Sequence, residues 1–232
     1  MKVDFTDLKL NIGGEAIDRI GSDCVKYFKF VGHHLDEFLT WEHQINHVHS
    51  KLSGGNYAIA CIKNFVTVNI RMTLYNSLFR SHLEFGLLSW GGVSLAWNRV
   101  SSSKLNRLSL LQKKCIRNVC GTGYLAHTEP LFAKMNVLKL EDLFKYNAAV
   151  FVHKLNNELL PSSFDNFLKP IAQPNRTNGY LHDKLKTKFL SQFPSFYLPI
   201  IWNDLNLNLK LITSHKTFKK EMYEFLLDKY AF

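Results

Sequence analysis

The sequence predicts an α+β fold that is mainly α-helical, with a small N-terminal antiparallel sheet followed by a helical bundle. Three observations predict it. The first 37 residues hold short β-branched and aromatic runs separated by Gly-Gly and Gly-Ser-Asp turns. From Thr40 onward the apolar period changes from two to about 3.6. With 232 residues and 46% hydrophobic content, the chain can bury a real core.

The elements follow in order. LKLNI (Leu8 to Ile12) alternates, Gly13-Gly14 suits a hairpin, and EAIDRI (Glu15 to Ile20) can return as its partner. After Gly21-Ser22-Asp23, VKYFKFV (Val25 to Val31) is the strongest strand signal. Gly32-His33-His34-Leu35-Asp36 then reads as a joint between the sheet and a helix, with Gly32 letting the chain leave the sheet. Asp36, Thr40 and Trp41 form a hinge into that helix, with Thr40 as its N-cap and Glu42 in its first turn.

Trp41, Ile45, Val48 and Leu52 continue at helical spacing, and Gly54-Gly55 is expected to break or kink the helix before Tyr57 to Ile62 resumes it. A second helix, apolar on most sides and therefore central, is expected from about Asn69 to Trp90, ended by Gly91-Gly92. A third runs from about Lys104 to Cys120, with Leu105, Leu108, Leu111 or Gln112, Cys115, Ile116 and Val119 on one stripe and Gly121 just past its end. Thr128 precedes Glu129-Pro130, a helix start with Pro in the first turn. A longer helix is expected over Leu140 to Asn156, stopped by Pro161. Residues 161–200 hold five of the six prolines and read as a connector with short elements. A last helix from about Ser214 carries Phe218, Met222, Phe225 and Leu226. The chain divides on this reading into 1–37, 38–126 and 127–232.

Charge is distributed unevenly. Residues 1–37 hold 5 basic and 7 acidic residues, residues 38–126 hold 10 and 2, and residues 127–232 hold 14 and 10, for a net charge of +10. Clustering in the middle segment, rather than the total, points to a polyanion partner, nucleic acid first; a solvated basic surface is the plainer alternative. The candidate contacts are Lys63, Arg71 and Arg80, then Arg99, Lys104, Arg107, Lys113, Lys114 and Arg117. Tyr75 and Trp90 could stack on bases, though aromatics at helical spacing are more often core.

Other chemistries find little support. His43 and His47 have the i, i+4 spacing of zinc proteases, but the segment reads HQINH, with Gln44 where a Glu base belongs. They read as exposed or capping histidines, and no metal is expected. No phosphate loop, dinucleotide fingerprint or nucleophile elbow occurs, and no Asp-Asp pair of the polymerase type. The four cysteines are scattered, which suits a reducing intracellular compartment, and no apolar run is long enough to span a bilayer.

Several segments together resemble one family. FKFVGHHLDEFLTWEHQI (Phe28 to Ile45) resembles the stretch of non-LTR, LINE-type, jockey-like retrotransposon reverse transcriptases that reads roughly [FY]-L-G-V-x-[IL]-D-x-x-L-[TS]-W-x-x-H-I. Phe30, Gly32, Leu35, Asp36, Leu39, Thr40 and Trp41 match in place, while Val31 and His33 depart from it. LYNSLFRSHLEFGLLSWG (Leu74 to Gly91), LNRLSLLQKKCIRNVCG (Leu105 to Gly121) and AHTEPLFAKMNVLKLEDLFKYNAAVFVHK (Ala126 to Lys154) resemble the segments that follow in that family. NRT (Asn175 to Thr177) and WNDL (Trp202 to Leu205) resemble weaker tail motifs, with Asn206 where the family has Pro.

The resemblance implies the end of a polymerase palm, thumb-like helices over residues 40–120 and a C-terminal helical extension. It implies that the catalytic aspartates, the Mg²⁺ they would hold and the nucleotide-binding fingers belong to sequence upstream of Met1. The expected role is therefore that of a truncated, non-catalytic piece that grips template–primer, RNA or an RNA/DNA hybrid, in the cytoplasm or nucleus. An inert structural or interaction module is the alternative, and an unpaired sheet edge would favour its self-association.

Overall fold

The computed structural model describes residues 10–12, 15–17, 27–94, 102–171, 179–181 and 191–230. The Gly13-Gly14 and Gly21-Ser22-Asp23 turns, the Asn-Arg-Thr segment and Arg99 lie outside the described residues. The fold is mainly helical, with short two-stranded antiparallel sheets beside a helical bundle.

β1 (Leu10–Ile12) pairs with β2 (Glu15–Ile17), in the register Leu10–Ile17, Asn11–Ala16 and Ile12–Glu15. β3 (Phe28–Phe30) does not extend that sheet. It pairs with β4 (His33–Leu35), in the register Phe28–Leu35, Lys29–His34 and Phe30–His33. This corrects the reading of Gly32 to Asp36 as a joint: Gly32 turns a tight hairpin, and the two histidines are strand residues. The turn is Val31-Gly32, with φ of 44° and 82°. Two successive positive φ values match the twist of the flanking strands, but a β-branched side chain is strained there. Replacing Val31 by Asn, which tolerates that conformation and is exposed at this site, is expected to stabilise the fold by about 1 kcal/mol. A thermal melt that does not rise would count against the hairpin geometry.

α1 (Glu42–Ile62) is continuous through Gly54-Gly55, against expectation. Gly54 faces open space. A Cβ on Gly55 would lie 2.7 Å from the backbone oxygen of Leu78, so this glycine sets a close helix crossing and not a kink.

The expected single helix over Asn69 to Trp90 is segmented. It comprises α2 (Val68–Leu74), a π-helical turn (Tyr75–Arg80) and α3 (Ser81–Glu84), then a break and α4 (Leu87–Trp90). The break falls at Gly86, whose φ is 60° and where any Cβ would collide with the His33 ring. The Trp90 indole N–H closes the break by donating to the Phe85 carbonyl at 2.9 Å. Gly91-Gly92 does not end this segment, which continues as a 3₁₀ turn over Gly91–Ser94.

α5 (Ser102–Cys120), α6 (Glu129–Lys134), α7 (Leu140–Asn156) and α10 (His215–Leu227) stand close to their expected bounds. Gly121 has the positive φ of a C′ residue. Ser214 caps α10, its hydroxyl accepting from the Thr217 N–H.

Residues 161–200 are less of a connector than their prolines suggest. β5 (Lys169–Pro170) and β6 (Tyr180–Leu181) form a two-residue ladder, and α8 (Pro194–Asn203) is a core helix. α8 buries Phe196, Tyr197, Leu198, Ile201 and Trp202. Pro194 suits its first turn. Pro199 forfeits one backbone hydrogen bond in its interior, which the apolar burial around it outweighs. α9 (Leu207–Lys210) is capped by Asn206, whose side chain accepts from the Leu209 N–H at 3.1 Å.

A single buried cluster runs from Ile45 in α1 through Tyr75, Leu108, Ala149 and Trp202 to Tyr230. α5 packs on α1, α2, α6 and α7, and α7 packs in turn on α8 and α10. Among the described residues, no helix is long and apolar enough to cross a membrane.

Candidate nucleic-acid interface

α5 carries five cations, Lys104, Arg107, Lys113, Lys114 and Arg117, and no acidic residue. Its apolar stripe (Leu105, Leu108, Cys115, Ile116 and Val119) is buried, which fixes the rotation of the helix. α1 lies beside it in parallel. Two side-chain bonds set that register: Arg107 Nη2 donates to Asn46 Oδ1 at 2.7 Å, and Asn118 Nδ2 donates to Asn56 Oδ1 at 2.9 Å. Arg107 and Lys114 are exposed and seven residues apart, two turns along one flank of α5. Phosphates on one strand of a duplex can be met by cations at that kind of spacing.

The other basic candidates differ in what they can reach. Lys104 is in the first turn of α5, and its side chain lies outside the described residues. Lys113 turns toward α7. It lines a cavity of about 480 Å³ with Asn106, Ser109, Lys139, Lys145 and the acidic Glu141. The Arg117 Nε donates to the Ala126 carbonyl at 2.9 Å, and its guanidinium stands 5.9 Å from the exposed Tyr124 ring. Lys63 follows the last turn of α1, where its carbonyl accepts from Arg71 Nη1 at 2.5 Å. Arg71 is buried and ties the end of α1 to α2, so it has little surface to offer. Arg80 is half-buried, paired with Glu84 at 2.9 Å and set against the Tyr223 ring. One of the two acids of the middle segment is thereby engaged, and the α5 cations have no carboxylate on their own helix. Tyr75 and Trp90 are fully buried, so neither can stack on a base. The exposed aromatic that meets an α5 cation is Tyr124, beside Arg117.

The hinge residues meet in one carboxylate. Asp36 Oδ1 accepts from the backbone N–H groups of Phe38 (3.2 Å) and Thr40 (2.9 Å). Oδ2 accepts from the Thr40 hydroxyl (3.1 Å) and the Trp41 N–H (3.0 Å). Trp41, at φ 59°, occupies the N-cap position without a side-chain cap of its own, which corrects the expectation for Thr40. Asp36 thus shapes the entry to α1 by satisfying the backbone donors of the turn that leads into the helix.

The β3–β4 hairpin packs its Lys29–His34 side on α1. The backbone N–H and the ring Nδ1 of His34 both meet Gln44 Oε1, at 3.0 and 3.3 Å. The His34 and His47 rings are 4.5 Å apart, and Tyr27 lies 4.8 Å from His34 and 4.7 Å from His43. Burial and then the neighbouring His34 push His33 below the ordinary histidine value. Among the described residues, no group of three His, Cys, Asp or Glu side chains stands together in a way that could hold a metal ion. The gathering of Lys29, His34 and His47 was not legible from the chain, because it depends on β4.

Comparison with known proteins gives one distant relation. Over 133 residues, 56% of this chain, the sequence is 25% identical to the RNA-directed DNA polymerase from mobile element jockey of Drosophila melanogaster. The match spans 14% of that protein's length. No family model matches the chain, and no solved structure matches it. The chain is thus a remote and partial relative of that polymerase.

Proposed function

We propose that this chain is a nucleic-acid-binding module, the thumb-like and C-terminal part of a jockey-like reverse transcriptase, with no nucleotidyl transfer of its own. The observation that carries the reading is α5: a 19-residue helix, buried along one stripe, with five cations and no acid. The remote likeness to a mobile-element polymerase supplies a reason for such a face to meet RNA or an RNA/DNA hybrid. Lys104, Arg107, Lys113, Lys114 and Arg117 are the proposed phosphate contacts, with Lys63 at the margin. Arg71 and Arg80 hold the fold around that face.

The test is fluorescence anisotropy with a labelled primer–template duplex across a salt series. Binding is expected to weaken with salt at a log–log slope of about −3, the signature of three or four phosphates neutralised. Added Mg²⁺ and deoxynucleotides are expected to give no extended primer. Absence of binding at low salt, or extension, would overturn the reading.

A second reading is favoured by one observation. Phe28, Phe30, Val31, Phe38 and Phe85 are exposed around the hairpin. Such a surface, with an open strand edge beside it, suits association with a second chain. Nuclease-treated protein that forms a dimer and does not bind the duplex would select this interaction module instead.

A further inference from the structure

We propose that Lys29, His47 and Lys51, with the buried His34 beneath them, form a second phosphate-contacting site, continuous with the α5 face, whose hold on nucleic acid strengthens as the pH falls. This rests on the nucleic-acid reading above and extends it to a part of the surface that the α5 cations do not cover.

The cluster is assembled by three elements. Antiparallel register sets Lys29 directly opposite His34 on the side of the hairpin that meets α1. Gln44 holds His34 in place by two contacts, so that its ring lies 4.5 Å from that of His47. On α1, His43, His47 and Lys51 recur every four residues and share one stripe. The neighbouring stripe contains Asn46, which receives the Arg107 guanidinium from α5. A backbone lying along α1 would therefore pass from Lys114 and Arg107 to His47, Lys51 and Lys29 without crossing an apolar gap.

The groups acting on His47 are His34 from β4, Lys51 from its own helix, Lys29 from β3 and His82 from α3. All four are bases. Burial and these neighbours hold the His47 imidazole below its ordinary range, so in the free protein it is neutral at neutral pH. A phosphate beside it reverses the balance, because an anion favours the imidazolium. Binding then takes up a proton at His47, and by linkage the affinity rises as pH falls. Gln44 and Tyr27 carry no charge that would oppose this.

Anisotropy at constant salt, at pH 7.5 and pH 5.5, tests the site with the same labelled primer–template duplex. Wild type is expected to bind about tenfold more tightly at the lower pH, the effect of about half a proton taken up on average across those two pH units. His47→Gln is expected to abolish most of that gain while leaving the thermal melt unchanged, since the side chain is exposed. Lys29→Gln with Lys51→Gln is expected to weaken binding several-fold at both pH values. If wild type binds but both variants match it at both pH values, the second site is wrong and the α5 reading stands. If wild type binds at neither pH, both fall.

Discussion

Charge reversal of Arg107 and Lys114 together is expected to weaken duplex binding about a hundredfold near 0.1 M salt and to flatten the log–log salt slope by about two units. The two side chains are exposed on one flank of a helix that has no acid to compete for them. Among the described residues the Arg107 guanidinium bonds to Asn46 alone, which leaves most of its donors for a phosphate. Lys113→Glu and Arg117→Glu are expected to do less. Lys113 turns toward α7, and Arg117 has its Nε committed to the Ala126 carbonyl. Reversing Arg71 would act differently again, because it would leave a buried carboxylate against the Lys63 carbonyl and unfold the junction of α1 and α2. The informative comparison is therefore between a loss of binding with an unchanged melt, at Arg107 and Lys114, and a loss of both at Arg71. A double reversal that binds like wild type at every salt concentration would make α5 a plainly solvated face.

The difference between Arg107 and Arg71 marks what the chain could reveal and what it could not. Both are arginines in a basic segment. Their fates are set by partners outside the local pattern: Asn46 on a neighbouring helix in one case, a carbonyl at the end of α1 in the other. The apolar period, by contrast, is local, and it placed α5, α7 and α10 within a few residues. It failed where a special residue acts through tertiary contact. Gly55 reads as a breaker but serves a helix crossing, and Gly86 breaks a helix because His33 fills the space a Cβ would take. β4 escaped notice because its turn is Val-Gly, where Asn-Gly would have announced a hairpin. α8 escaped because two prolines flank and interrupt an otherwise continuous apolar run. The histidine–lysine cluster depends on β4, so it could not be read before the hairpin was known.

Gln112→Met is expected to cost about 3–5 kcal/mol of stability. Gln112 sits on the apolar stripe of α5 and is 1% exposed. Its Nε2 donates to the Tyr75 hydroxyl at 3.1 Å and to the Leu138 carbonyl at 2.9 Å. Its Oε1 accepts from the Leu140 N–H at 2.9 Å. Leu140 opens α7, and the residue before it, Lys139, offers no side-chain cap. Gln112 therefore caps α7 from a different helix and fastens the turn before it to α5. Methionine has nearly the same volume, so packing changes little, and the loss comes from three buried polar groups left without a partner. The urea midpoint is expected to drop with the slope unchanged. Adding Tyr75→Phe removes one of the orphaned groups, so the double variant is expected to be more stable than the sum of the two single losses by about 1 kcal/mol. A Gln112→Met protein within about 1 kcal/mol of wild type would show that these bonds do not join the π-helical turn, α5 and α7, because the desolvated groups would otherwise have to register their loss.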